Sequence, residues 1–411
     1  MSHRLFLQRE MPVPLVVSQT PRAKINISIV NDPFLWKILT QYHHDNITNR
    51  SKISCLLQAE HGIVMSEATV VRRRQQFGLL GSGQLTCLLP RSIKQQLVLD
   101  QLAQDPLHRR GPHLVREAIV VDTGNLLTRK YVTDEMRQHE PDRFAQWGLS
   151  KKKISHQPLV SLGLHHQWSG NGHDKLSRIG FPIWAIRDQW SRKWLGMWVI
   201  PNNRLKTSIA YLYLSLVHEL GGMPLQTTTD CRSKTTNVYG FATALREIFS
   251  PNLSTDELPA HRFPKSVHNI TIERGWLRVR VQWGDNMKVF WEAGEEIYND
   301  MDPCQYALVQ WLWPRLIQQE LDTLKHRLNT HCVSPNVAIL LHKDYDAQNC
   351  LQLVDCDVVK NLMEEIGGED LIHFVDSEYS AAAQLIFDGL GFTILTFENV
   401  WSMFSAMLPL I

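Results

Sequence analysis

The sequence predicts an α/β protein: a mixed β-sheet flanked by helices, preceded by two small helical units. Three observations carry this. Between residues 39 and 156 the apolar residues recur at helical spacing between turn residues. After residue 157, apolar runs of strand length alternate with helical runs. Eight of the 13 tryptophans lie between Trp168 and Trp291, the aromatic content of a packed core.

At 411 residues the chain has room for two or three domains, and 44% hydrophobic with 20% charged residues excludes a disordered protein. The net charge of +2 hides an asymmetry. Ser66 to His156 holds 15 Lys and Arg against 9 Asp and Glu, whereas Ser334 to Ile411 holds 2 against 12. The front half suits a phosphate backbone; the acidic end does not, and contact with the basic half is one role open to it. Seven cysteines form no CxxC pair, which argues against a disulfide framework or a zinc site and for a reducing compartment. The N-terminal apolar stretches are interrupted by Arg9, Glu10 and prolines, unlike a signal peptide, and no run of 18 apolar residues predicts a membrane span.

The expected divisions are an unassigned segment (1–38), a helix-turn-helix (39–83), a second helical unit with a basic linker (84–156), the sheet-bearing core (157–300) and a helical, acidic C-terminal region (301–411). In the first unit Thr48, Asn49 and Ser51 are candidate N-caps for a helix carrying Ile53, Leu56 and Leu57, and His61-Gly62 ends it. Ser66 caps a second helix, with Val70 on its apolar side and Gly78 past its end. Two short helices about a tight turn form a helix-turn-helix pattern, whose second helix presents Thr69, Arg72, Arg73 and Arg74 to bases or phosphates. The next unit repeats the spacing: a helix from Arg91 to Gln104, another in GPHLVREAIVVD, then Thr128 capping a helix that starts Arg129-Lys130. Lys151, Lys152 and Lys153 close it with a basic linker. DNA is the expected partner.

In the core, Leu162 to Gly170 reads as a strand, and RIGFPIWAIRD and KWLGMWVIPN as an antiparallel hairpin. A helix capped by Thr207 or Ser208 and ended by Gly221 follows, then the strand PLQTTTD, the helix TTNVYGFATALREIF, a short strand, and a helix within VHNITIERGWLRVRVQW. Three strands, helix, strand, helix, short strand, helix is the order of a ribonuclease-H-like fold.

Two-metal phosphodiester chemistry needs carboxylates from separate elements converging on one point. The segments HQWSGNGHDKL (166–176), TTDCRSKTT (228–236) and SVHNITIERGW (266–276) stand where that fold would bring them together. Over residues 160–300 they resemble the integrase core domain of transposon-derived proteins in fungi and animals. The resemblance implies DNA strand cleavage and joining with magnesium or manganese, metal ligands at Asp230 and Glu273, and a nuclear location. The first family position falls on Asn171, 59 residues before Asp230, and Glu273 follows Asp230 by 43 residues. Asn is neutral and offers one carbonyl oxygen, so this chain is expected to be impaired in catalysis. Arg232 and Lys234 beside Asp230 further disfavour cations. The stretch around His331 to Val333 is also short relative to that family.

Alternatives stay open. Asp174 or Asp188 would rescue the site by turning inward, although an odd offset along a strand points Asp174 to the other face, and Asp188 also suits a hairpin turn. His165, His166 and His173 suit zinc less well than ordinary structural roles. Arg274, Arg278 and Arg280 either track DNA phosphates or form the solvated side of a helix. Gln305 to Leu328 reads as a helix with Pro314 inside, serving the core or a subunit contact, which leaves room for a homo-oligomer. The apolar end TILTFENVWSMFSAMLPLI is either a buried segment or an unselected one. From another class, the chain would be a non-catalytic DNA-binding regulator or a domesticated scaffold.

Overall fold

A computed structural model of the chain describes residues 32–141, 161–229, 234–254, 256–263, 270–331, 348–391 and 394–411. The predicted linker Lys151–Lys153, the predicted ligand Asp230 with Arg232, and the stretch after His331 lie outside them.

The N-terminal unit has three helices: α1 (Pro33–His44), α2 (Arg50–His61) and α3 (Glu67–Gln76). Asp32 caps α1, so this unit begins ahead of the expected boundary at residue 39. Asn49 is the cap of α2, its side chain accepting from the Ser51 and Lys52 amides. Gly62 ends α2 in the left-handed region at φ 68°, a conformation glycine adopts without strain. Ser66 caps α3. Leu35, Leu39, Ile53, Leu57 and Val70 close a small shared core.

The second unit comprises α4 (Ser82–Leu88), α5 (Arg91–Ala103), α6 (Pro112–Thr123) and α7 (Arg129–His139). Gly124 ends α6 at φ 71°, and Thr128 caps α7 as the spacing predicts. The two units touch where His43 Nε2 lies 3.0 Å from the Gly124 carbonyl.

The core is a mixed five-stranded sheet flanked by helices. Its strands are β2 (Gln167–His173), β3 (Ile183–Asp188), β4 (Trp194–Val199), β6 (Gln226–Thr229) and β7 (His261–Arg262), in the order β4-β3-β2-β6-β7. β2, β3 and β4 are antiparallel neighbours; β6 and β7 run parallel to β2. Two short strands, β1 (Gly163–Leu164) and β5 (Gly222–Met223), pair instead with β8 (Gln348–Asn349) and β9 (Gln352–Leu353). Alternation sorts β3 cleanly. Ile183 and Ala185 enter one core, Trp184 and Ile186 the other, as expected of a central strand covered on both faces.

Helices α8 (Lys206–Leu220) and α9 (Thr236–Phe249) cover the Trp184 face. The cap of α8 is Leu205, not Thr207 or Ser208, because the Ser208 hydroxyl is buried and donates to the Leu371 carbonyl. On the Ile183 face lies α10 (Ile270–Val279), which runs through a π-helical turn at Arg280–Gly284 into α11 (Asp285–Glu292). Beside it is α12 (Pro303–His331), with Pro314 inside it and Leu308, Leu312, Trp313 and Leu316 buried.

The acidic region joins these same cores. α13 (Cys356–Glu365) places Val359 in the α8 side; α14 (Ser377–Gly389) and α15 (Val400–Met407) pack on α12. The apolar terminus is therefore a buried segment: Val400, Met403, Phe404 and Met407 are inaccessible, and Trp401 Nε1 donates to the Phe290 carbonyl at 2.9 Å. One core thus continues across the division expected at residue 300. No described helix is long and apolar enough to cross a membrane.

The second helical unit is anchored to the core through buried polar groups. Asp105 is fully buried and accepts from the Arg109 and Arg110 amides at 2.9 and 2.7 Å, and from Asn286 Nδ2 at 2.8 Å. Arg110 Nε donates to the carbonyl of Gln282 in the π-helical turn at 3.0 Å. Burial, with Arg327 nearby, brings the Arg110 guanidinium down to about 10.

Candidate functional site

Two of the three predicted centre positions meet. Asn171 on β2 and Glu273 on α10 are 102 residues apart, yet Asn171 Nδ2 donates to Glu273 Oε1 at 2.9 Å. The approach is built by small residues. On β2, Gly170 and Gly172 point away from α10; a Cβ on Gly172 would stand 2.9 Å from Asn203 Nδ2, and one on Gly170 3.2 Å from the Trp184 ring. Ser169, Asn171 and His173 therefore share the α10 face. In α10, Gly275 lets the helix lie against the sheet, since a Cβ there would stand 2.5 Å from Trp194 and 2.8 Å from Arg187 Nη1. His173 stacks on Trp276 at 4.7 Å and 14°, pinning the strand to the helix.

The third position, Asp230, lies outside the described residues. β6 ends at Thr229, which pairs with Gly170, the residue before Asn171. So the second and first segments run side by side up to that point.

Sequence reasoning missed Arg187. It is buried beneath α10, donates from Nη1 to the Thr271 carbonyl at 2.6 Å and from Nε to the Arg192 carbonyl at 2.7 Å, and faces the Trp194 ring at 5.2 Å. A lone cation in the apolar run IWAIRD was its signal. Among the described residues, the centre holds one exposed carboxylate, one amide and a buried guanidinium near the first turn of α10. These described groups by themselves do not fit two divalent ions. The amide of Asn171 offers an N–H to the oxygen a metal would use, and Arg187 adds positive charge. Among the described residues no group of three His, Cys, Asp or Glu converges on a point.

Asp188 takes the hairpin role. Its carboxylate accepts from the Ser191 amide and hydroxyl at 2.7 and 2.6 Å and from the His165 amide at 3.0 Å, which closes the β3–β4 turn. Burial pushes its carboxyl up, against those hydrogen bonds. The side chain of Asp174 lies outside what the structure describes. His165 Nδ1 accepts from Trp168 Nε1 at 3.0 Å, a structural partnership and not a ligand set.

Of the predicted DNA contacts, Arg72, Arg129, Lys130, Arg274 and Arg278 are exposed, and Thr69 and Arg73 partly so. Arg73 donates to Gln76 at 3.1 Å, and Thr69 helps the Ser66 cap. Arg74 turns inward: it donates to the Thr48 carbonyl at 2.9 Å and approaches His43 at 3.3 Å, so it braces α3 against the end of α1 and the α1–α2 turn. Arg280 pairs with Asp285 at 3.8 Å. Leu277 and Arg278 border a shallow cleft with Leu114, Val281 and Gln282, between α10 and the second helical unit.

No family model matches the chain, and no curated protein matches it in sequence.

Two histidines, half-buried His165 and buried His261, are expected to make the core acid-sensitive. Burial pulls both His165 and His261 down to about 4, from an ordinary value near 6.5. Each is bound neutral in the fold and takes up a proton more readily when unfolded. Their stabilisation is full above about pH 6.5 and is lost as pH falls towards 4. The melting temperature is expected to fall over that window, and His165→Gln to make the fall shallower.

Proposed function

We propose that the chain is a transposase- or integrase-like DNA-binding protein on a ribonuclease-H-like core, impaired in metal-assisted strand cleavage. The observation that carries this is the Asn171–Glu273 hydrogen bond. Two positions read from sequence as one centre, far apart in the chain, lie together at the carboxyl end of a central strand. The order β4-β3-β2-β6-β7, with three antiparallel strands and two parallel additions, supports the ribonuclease-H-like reading. Helix pairs α2–α3 and α6–α7, each turning at a left-handed glycine, support DNA reading.

An amide in place of the first carboxylate leaves this centre without the charge that metal-assisted cleavage needs. What remains for the residues present is binding: α3 and the start of α7 offer Arg72, Arg73, Arg129 and Lys130 to phosphates, with Arg274 and Arg278 along α10. The amide at position 171 favours the regulator or scaffold role over an active enzyme. In either role DNA is the partner, and the nucleus is the place.

Anisotropy titration of a labelled duplex against salt tests this. Affinity is expected to fall steeply with salt. The joint substitution of Arg72 and Arg129 by Ala is expected to lower the log–log slope by roughly 2, about one for each phosphate left without its arginine. Binding that ignores salt and survives the double substitution would overturn the reading.

A further inference from the structure

The sheet carries, at the same end as Asn171, an aromatic group that the duplex-binding arginines leave unused. Phe263 directly follows β7, and Tyr239 stands on the first turn of α9. Their rings stack at 5.8 Å and 27°. Both rest on His261, Tyr239 edge-on at 5.9 Å and Phe263 tilted at 4.5 Å. Tyr239 keeps 47% of its surface exposed, and Arg262 beside it is exposed as well.

The floor of this group is unusual. His261 is 3% exposed, and its Nε2 lies 3.0 Å from Thr229 Oγ1. Its Nδ1 is buried with no hydrogen-bond partner among the described residues. Buried polar atoms almost always find one, so an orphan nitrogen calls for an explanation such as a ligand that opens the site.

Position matters as much. β2, β6 and β7 are parallel, and ligands of open α/β sheets gather beyond the carboxyl ends of such strands. β7 is two strands from β2, about 10 Å at ~4.8 Å per strand, within reach of a short single strand whose backbone passes Asn171.

We propose that Tyr239 and Phe263 form a stacking platform for an unpaired nucleobase, with Arg262 against the adjoining phosphate. The proposal rests on the DNA-binding reading and adds to it the form of DNA recognised. Bases inside a duplex already have both faces covered; an overhang or frayed end offers a free one. Every base has such a face, so the platform selects unpaired ends without reading sequence.

The test uses the full chain, a DNA hairpin with a 3′ overhang carrying 2-aminopurine, and the matching blunt hairpin. The native chain is expected to quench the 2-aminopurine and to bind the overhang hairpin more tightly than the blunt one. Tyr239→Ala is expected to abolish the quench and weaken overhang binding about tenfold, leaving blunt binding and the melting temperature unchanged. Tyr239→Phe, which keeps the ring, is expected to behave as native. If Tyr239→Ala binds and quenches like the native chain, the platform is refuted while DNA binding stands. If the native chain binds neither hairpin, the DNA-binding reading fails and the platform with it.

Discussion

Asn171→Asp is expected to make the stability of the chain depend on divalent cations. In the native chain the Asn171 amide donates to Glu273 at 2.9 Å. An aspartate there has no such donor at neutral pH and sets a second carboxylate against the first. Two unit charges about 4 Å apart repel by ~1 kcal/mol in water-like surroundings and by more where solvent is excluded. A drop in melting temperature of ~2–4 °C is expected in chelator. Millimolar magnesium should restore it, because a cation bridging the pair removes the repulsion. The native chain should melt at the same temperature with or without the ion. Calorimetric melting of both chains in each buffer checks this.

Asp105→Ala is expected to have the largest effect on folding. The carboxylate is fully buried and holds three N–H donors, two from the α5–α6 loop and one from Asn286 on α11. It also supplies the largest favourable charge acting on the buried Arg110. Breaking a buried charge network by removing one member typically costs ~3–5 kcal/mol. A fall in melting temperature on the order of 10 °C follows at ~2–4 °C per kcal/mol. Because the anchor joins the second helical unit to the core, limited proteolysis should also cut more readily near residues 104–111 in the variant. An unchanged melting profile would show that this junction contributes little.

Local signals were legible in the sequence wherever one residue type decides one backbone state. Asn49, Ser66 and Thr128 cap α2, α3 and α7, whose starts they mark, and Gly62 and Gly221 end α2 and α8 in left-handed conformations. The runs of β3, β4 and β6 were legible from apolar or β-branched content and turn residues, but the strand expected at Leu162–Gly170 divides into β1, which pairs with β8, and β2 at Gln167–His173. The cap of α8 was not, because Ser208 is spent on a distant carbonyl that only the tertiary fold brings near.

The pairing of Asn171 with Glu273 could be expected from the order of motifs, but its character could not. Facing a carboxylate, the amide presents its N–H and not its oxygen, and that contact exists only once the fold brings α10 onto β2. Arg187 and the Asp105 anchor escaped for a similar reason: each is a charged residue with one partner more than 80 residues away, Thr271 for Arg187 and Asn286 for Asp105. The acidic end was read from its charge alone, whereas its apolar residues fix it into the same cores as the sheet.

On the proposed reading, position 171 is what separates this chain from a working metal centre. Isothermal titration of manganese into the native chain and into Asn171→Asp, with Asn171→Asp/Glu273→Gln as control, tests that separation. No saturable heat is expected for the native chain, binding at least tenfold tighter in Asn171→Asp, and loss of that binding in the double variant. Equal binding by the native chain and Asn171→Asp, or none by Asn171→Asp, would contradict it.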